Sequence, residues 1–485
     1  MTALPAETPR LHRRGWIAPG YAADITVFDP GTVADDAAYD TPHRYARGVA
    51  HVIVNGVPEV RDGIFNGAAA WRACGGELPN AIVDPGCERA GIAFPHQMPA
   101  RKAGSMTRRG PIAQPGLVAE FEARLPAMVD ELGDLVRCES PSADLAALER
   151  SAEAVAALGQ RLTGWAPEVI ADAGPTHLRW TFGDGPRRVL LVGHHDTVWP
   201  LGSLDDHPWS VTDGVVRGPG CLDMKAGLVQ MFHALSVLDD TDGLTVLVNG
   251  DEEVGSPTSS GLIEEAARQS SAALVLEMAA DDGALKTARK GVSLYEMRIS
   301  GRAAHAGLEP ERGINASIEA AHLILSIAGL GDPALGTTVT PTLLHSGTAA
   351  NVVPARATLS VDVRAASAAE QQRVDEALRL IAPVLPGAAV VAARGPTCPP
   401  MEPAASADLF ATAQHVAGLL GLEPLRGVAV GGASDGNRTA GAGTPTLDGL
   451  GAVGGGPHAD REHVTAAAMP QRAALLAALV AELLT

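Results

Sequence analysis

Apolar residues recur at three- and four-residue steps through Leu117, Val118, Phe121, Leu125, Met128, Val129, Leu132 and Leu135. That stripe predicts an amphipathic helix. Beyond it the texture changes to short, continuous apolar runs, RRVLLVGHHD, LTVLVNGDEE and SAALVLEM, separated by segments of helical periodicity. Runs apolar on both faces predict strands buried from both sides, hence a largely parallel sheet between two layers of helices. From 294 to 398 the order differs: strand YEMRIS, helix INASIEAAHLILSIAGL, strands TTVTPTLLH and ATLSVDVRA, helix AAEQQRVDEALRLIAPVL, strand AAVVAAR. A β-α-β-β-α-β order predicts a ferredoxin-like module inserted into the larger domain. The α/β pattern then occupies 116–293 and 399–485. Residues 1–85 carry short β-like runs, DITVFDP and GVAHVIVNGVPEV, among turn residues. Residues 86–115 are rich in Pro, Gly and Arg without periodicity and are expected to be a linker.

Composition adds limits. At 485 residues the chain exceeds one ordinary core. With 46% hydrophobic and 19% charged residues it is globular in class, and with aromatics at 4% its cores must be filled by Ala, Val and Leu. A net charge of −19 opposes binding to nucleic acid or an anionic membrane. The five cysteines are scattered, odd in number and without C-x-x-C spacing, so reduced thiols in a cytoplasmic protein are expected. The amino terminus lacks the apolar run of a secretory signal, and no stretch approaches the length of a membrane span.

The chemistry lies at the ends of the apolar runs. His194 and Asp196 follow VLLV, Glu252 and Glu253 follow LTVLV, and Glu277 follows SAALVL. In open α/β sheets that edge is where ligands bind. Singly, each has an ordinary explanation: an H-x-D triplet or an acidic pair marks a solvated loop, Asp223 in GPGCLDMKAG caps a helix, and His458 in GGGPHADREHV is an exposed loop residue. Together, imidazoles and carboxylates delivered to one edge suit zinc or a related divalent ion.

The stretches GHHDTVW, GPGCLDMKAG, NGDEEVGS, LVLEM, SGRAAHAGLEPERGINA, NVVPARATLSVDVR, GGASDGN and GGGPHADREHV stand in the order seen in one di-zinc metallopeptidase family. That family comprises glutamate carboxypeptidases, aminoacylases, acetylornithine deacetylase and succinyl-diaminopimelate desuccinylase. Residues 116–485 resemble it, with SGRAAHAGLEPERGINA, ATLSVDVR and AARGPTCPPMEP nearest to glutamate carboxypeptidase. The resemblance implies an α/β/α zinc-peptidase catalytic domain with an inserted lid and dimerisation domain. It implies two divalent ions per chain, zinc with cobalt or manganese as substitutes. Asp223 would bridge them, His194 and Glu277 completing one and Glu253 and His458 the other. Asp196 would orient His194, and Glu252 would be the general base that deprotonates the bridging water. Cys221 would be a small buried neighbour and not a ligand.

His305 would reach the site of the other subunit in a homodimer and stabilise an oxyanion; the plainer alternative is a strand-end histidine bonded within its own loop. Arg364 would grip a substrate carboxylate, with Asn351 a further polar contact and Gly432–Asp435 opening a loop that lines the pocket. Arg289 and Lys290 would add positive charge to the site, although a charged turn is the commoner explanation of such a pair. The implied activity is hydrolysis of an amide beside a free carboxylate, in a small N-acyl amino acid or dipeptide. An aminoacylase or deacetylase is the alternative, and a non-catalytic binder on the same fold is a third, which the intact ligand set and Glu252 oppose.

Residues 13–72 resemble instead the carboxyl-terminal tail of N-acyl-D-amino-acid deacylases, without the metal ligands of that family's barrel. No catalysis is expected of this segment. It fits either a fused remnant or an upstream reading frame, with translation then starting near Met98 or Met106. So small a β segment is expected to be loosely packed.

Overall fold

A computed structural model describes residues 112–485 apart from 115, 172 and 173, together with the backbone of four short strands nearer the amino terminus. Those strands, Ile25–Phe28, Val49–Val54, Val57–Arg61 and Ile64–Phe65, pair in sequence order as an antiparallel sheet. They belong to a compact unit, 1–101, and the rest of the chain, 102–485, forms another. The looseness expected of the first segment lies outside the described residues, as does the linker expected over 86–115 save for 112–114.

The second unit is organised by a six-stranded sheet in the order Thr446–Leu447, Ala272–Val275, Val189–His194, Leu244–Asn249, His177–Thr181, Glu168–Ile170. The first four are parallel, His177–Thr181 runs antiparallel beside them, and Glu168–Ile170 pairs antiparallel with it at the edge. Every residue of Val189–His194 and Leu244–Asn249 is buried, which is why these strands read as unbroken apolar runs. Alternate side chains serve opposite faces. Val189 and Leu191 join the core formed with helices Gly116–Arg137, Ala226–Leu235 and Met469–Leu484, whereas Leu190 and Val192 pack with Ile263 and Ala267 of helix Ser260–Gln269. The result is three layers. Leu117, Phe121, Met128, Leu132 and Leu135 are the buried stripe of the first helix, as its spacing requires. Among the described residues, one helical stretch, Ala466–Leu484, is long and apolar enough to cross a membrane, but 61% of its apolar window is buried inside the protein.

From Gly291 to Cys398 the chain forms a separate four-stranded antiparallel sheet. Its strands are Gly291–Ser300, Thr338–Ser346, Arg356–Ala365 and Ala389–Cys398, with helices Ala316–Ala328 and Ala368–Arg379 after the first and third. The spatial order, second-third-first-fourth, is the ferredoxin-like one. Its core is its own, with Tyr295, Met297 and Ile299 packed on Leu323, Ile327, Val374 and Leu378. The second helix stops at Arg379, short of the apolar tail expected to continue it. Pro383 bars continuation, and the Val384 and Leu385 N–H groups instead donate to the buried Glu319 carboxylate at 2.9 and 2.7 Å.

Candidate metal centre

Three strands of the large sheet deliver part of the cluster at their carboxyl edge, and a turn and a loop deliver the rest. His194 is the last residue of Val189–His194 and is buried. Glu277 lies two residues beyond Ala272–Val275. Glu252 and Glu253 open a 3₁₀ turn, Glu252–Val254, just past Leu244–Asn249. Asp223 sits in the turn Cys221–Lys225 that leads into helix Ala226–Leu235, and its side chain does not cap that helix. His458 comes from the loop between Gly454–Gly455 and His463–Thr465 and adopts φ 60°, a left-handed conformation unusual outside glycine.

Asp223 is the centre of the arrangement. Its Oδ1 lies 3.2 Å from His194 Nε2, which is itself 3.5 Å from Glu277 Oε1. Its Oδ2 lies 3.0 Å from His458 Nε2, which is 3.2 Å from Glu253 Oε2. Each carboxylate oxygen therefore faces a different imidazole, and each imidazole faces a further carboxylate. Ligand atoms of His194, Asp223 and Glu253 lie within 4.8 Å of one another, and so do those of His194, Glu252 and Glu277. His194 Nδ1 is 3.0 Å from the Asp196 carbonyl and 3.3 Å from its Oδ1, so the proton belongs on Nδ1 and the Nε2 lone pair faces the cluster.

Residues 190–482 match the Peptidase family M20/M25/M40. The chain belongs to that family. Carboxypeptidase G2 of Pseudomonas sp. (strain RS-16) is 33% identical over 324 residues, covering 62% of this chain and 75% of that protein. D-aminoacylase of Alcaligenes xylosoxydans xylosoxydans is 44% identical over 72 residues, 15% of each chain, and is of the class that residues 13–72 resemble. The crystal structure of aminopeptidase PepT from Bacillus cereus ATCC 10987 superposes with a TM-score of 0.61 at 23% identity, over 74% of this chain and 99% of that one, which shows a shared fold. The chain is thus an M20-type enzyme of the metallopeptidase and amidohydrolase kind, with carboxypeptidases and deacylases among its relatives.

Family members depend on a metal, and the donors here fit one. Burial would push the Asp223 carboxyl up, but its bonds to His194 and His458 outweigh this and hold it well below the usual range. Burial also opposes charge on His194, yet the contacts with Asp196, Asp223 and Glu277 raise it well above an ordinary imidazole. His458 is lifted to about 10 by Asp223 and Glu253. Glu252 is pushed up by desolvation and then by the Glu277 charge, and Glu253 chiefly by desolvation. So many carboxylates in one buried place need positive charge, which the imidazoles can supply only by holding protons. Divalent cations displace such protons. Glu253 Oε1 is moreover buried with no hydrogen-bond partner, a free donor atom inside the cluster.

Two supports were not foreseen from the sequence. The buried Asp196 carboxylate does more than orient His194: it accepts from the Glu252 and Glu253 N–H groups at 3.2 and 3.1 Å and from Ser142 Oγ at 2.7 Å, fixing the acidic turn. Glu462, also buried, accepts from the N–H groups of Leu222 (2.8 Å), Asp223 (3.1 Å) and Gly220 (3.2 Å) and from Trp199 Nε1 (2.7 Å). Four residues after His458, it ties the two halves of the cluster together. The available signal was the Gly-rich turn before Asp223, whose exposed N–H groups need an acceptor.

Arg289 requires a correction. It is no charged turn but the 5%-exposed end of strand Leu285–Arg289, its Nε 2.6 Å from Asp448 Oδ2 and a terminal nitrogen 3.7 Å from Glu277 Oε2. Cys221 is fully buried, and burial raises its thiol. Gly432 in the expected pocket loop accepts from Arg289, while Asp435 is buried against Asn249 and Ser256.

The residues expected in the inserted module lie apart. His305 and Asn351 are exposed, and Arg364 donates two bonds to Asp362 at 2.8 and 2.9 Å. Among the described residues, none of the three bonds to a member of the cluster.

Proposed function

We propose that the chain hydrolyses an amide bond beside a free carboxylate, in the manner of a glutamate carboxypeptidase, at a site for two divalent cations such as zinc. What carries this is the Asp223 carboxylate, each of whose oxygens faces its own imidazole and, beyond it, its own glutamate. His194 and Glu277 would hold one ion, His458 and Glu253 the other, and Asp223 both. When bound, the ions would polarise the scissile carbonyl and make water a nucleophile near neutral pH.

Glu252 is the base. It is held near His194 and Glu277 by the Asp196–turn bonds, and its carboxyl sits above the ordinary range, so its carboxylate accepts a proton more readily than a surface glutamate does. It takes one proton from the attacking water and returns it to the amine nitrogen as the C–N bond breaks; the water oxygen stays in the new carboxyl group, which ionises by giving its remaining proton to the amine or to solvent.

His305 of the partner subunit would stabilise the oxyanion, in a homodimer formed through the inserted module. Within its own loop, His305 Nδ1 accepts from the Gly307 and Leu308 N–H groups at 3.1 and 3.2 Å. The ring proton is therefore on Nε2, which is the donor an oxyanion requires. Arg364 and Asn351 would hold the substrate carboxylate. The substrate is a small N-acyl amino acid or dipeptide, and the setting is cytoplasmic, in keeping with free Cys138, Cys221 and Cys398.

A panel of N-acyl amino acids and dipeptides, offered to zinc-loaded protein with free and amidated carboxyl ends, tests this. Turnover only of free-carboxyl substrates, with acyl-glutamates foremost, is expected. Preference for other N-acyl amino acids would favour the aminoacylase alternative, and hydrolysis of amidated substrates at equal rate would sink the proposal.

A further inference from the structure

The turn that carries Glu252 and Glu253 hands its backbone N–H groups to side chains. Glu252 and Glu253 donate to Asp196, and Asp251 donates to Asn249 Oδ1 at 3.4 Å. Gly250 donates to His177 Nδ1 at 3.2 Å. His177 opens the antiparallel strand His177–Thr181 and is buried, at 3% exposure. No side chain fits at Gly250, where a Cβ would stand 2.8 Å from both the Thr176 carbonyl oxygen and His195 Nε2. That carbonyl accepts from His195 Nε2 at 2.8 Å. Thr176 and His177 therefore back both the segment that bears His194 and the turn that bears Glu252.

The Gly250 bond fixes the ring. A backbone N–H can only donate, so Nδ1 keeps its lone pair and the proton is on Nε2. Nε2 then donates to Thr258 Oγ1 at 3.0 Å, and the Thr258 hydroxyl donates to Asp251 Oδ2 at 2.7 Å. Asp251, fully buried, also accepts from the Thr258 and Ser259 N–H groups at 2.7 and 3.3 Å, ahead of helix Ser260–Gln269. The relay leaves the turn at Gly250 and returns at Asp251, directly before Glu252. The other acceptors of the turn are secure. Asn249 does not titrate, and Asp196, although buried, is held below the ordinary carboxylate range by His194 and Ser142. His177 alone can lose its acceptor atom by gaining a proton within a few pH units of neutrality. Burial opposes that proton, while the Asp251 and Asp196 charges favour it; Ile170 on the paired strand and Thr258 add no charge.

We propose that His177 is a positioning residue for Glu252: its neutral ring anchors the acidic turn from behind, and protonation of the ring releases Gly250 and the turn with it. This rests on the hydrolase reading above and adds to it an acid limb of activity set by a residue outside the metal centre.

The test uses zinc-saturated protein and the best-cleaved member of the substrate panel. His177→Phe, which keeps a ring without an acceptor, should lower kcat by about tenfold or more while KM stays within about twofold. His177→Asn places a non-titrating oxygen near the position of Nδ1 and should restore kcat at about pH 7.5. As pH falls from about 7.5 to about 5, kcat of His177→Asn relative to wild type should rise about threefold or more, because only the wild type releases the turn. An unchanged kcat in His177→Phe, or a ratio flat with pH, overturns the proposal and leaves the hydrolase standing. No cleavage of any panel member by the wild type defeats the hydrolase reading instead. Nitrogen NMR of histidine-labelled wild-type protein is independent of turnover. The ring signal that shifts in Thr258→Val, a substitution at an exposed position, should be protonated on Nε2 alone at about pH 7.5 and gain an Nδ1 proton in acid. An Nδ1 proton on that ring at about pH 7.5 overturns the anchor.

Discussion

The metal cluster and the inserted module differ in how finished they are. Around Asp223, ligands from four segments converge within one chain, and Asp196 and Glu462 fix the backbone on which they stand. In the module, His305 and Asn351 are exposed, and Arg364 is occupied by Asp362 from its own strand. The first is a site whose donors, the half-exposed His458 among them, already face one another; the second is a set of polar groups with local partners and free valences. The contrast is between donors that folding alone gathers and polar groups that, in the proposed site, substrate and a second subunit would complete.

The comparison can be broken at several points. Asp223→Ala should have the largest effect, because it removes the donor common to both halves. Metal content should fall and kcat/KM drop by roughly ten-thousandfold, about 5 kcal/mol of barrier; retention of two ions would show that Asp223 does not bridge. Glu252→Gln should lower kcat by about 10²–10⁴ while metal content stays near that of the wild type, and substantial residual turnover would remove Glu252 as the base. His305→Ala should cost about 10²–10³ in kcat. Mixing it with Glu252→Gln protein should restore activity, because one site of the mixed dimer has both residues intact. Absence of recovery in verified mixed dimers would return His305 to a local role. Arg364→Ala should raise KM about tenfold for free-carboxyl substrates, and an unchanged KM would take it out of the site.

The smallest effect belongs to the scaffold. Glu131 lies 2.6 Å from His233 and 2.9 Å from Arg161, joining helix Gly116–Arg137 to two neighbouring helices. Burial opposes its charge, but the bonds to His233 and Arg161 hold its carboxyl below the ordinary value of 4.5. A depressed carboxyl group stabilises the fold above the unfolded value and loses that contribution as pH falls through the folded one. Glu131→Gln should therefore flatten the acid limb of the stability curve below about pH 4.5, by less than about 1 kcal/mol since the pair is partly solvated. A neutral-pH stability identical in wild type and variant, with identical acid limbs, would show the pair to be inert.

The sequence exposed the parts of the molecule that burial writes into composition. Val189–His194 and Leu244–Asn249 are apolar but for Thr245 and the polar residues that end them, because both faces are covered, so they announced themselves and the residues at their ends. Helix Gly116–Arg137 was legible from its stripe. The antiparallel edge strands were not, since HLRWT and EVI are short and face different surroundings on their two sides. Arg289 misled because two adjacent basic residues before a glycine look like a turn; its burial is set by Asp448, 159 positions away. Glu462 and the second task of Asp196 were hidden for the same reason: their partners are backbone N–H groups, which have no identity in a sequence.

Metal titration of chelator-stripped protein is the most direct test of the paired geometry around Asp223. Zinc added in steps and measured on the protein should saturate at two ions per chain in the wild type and in Glu252→Gln, with wild-type hydrolysis absent before addition and restored by the ions. Saturation at one ion with full activity, or hydrolysis that persists in the stripped protein, would contradict it.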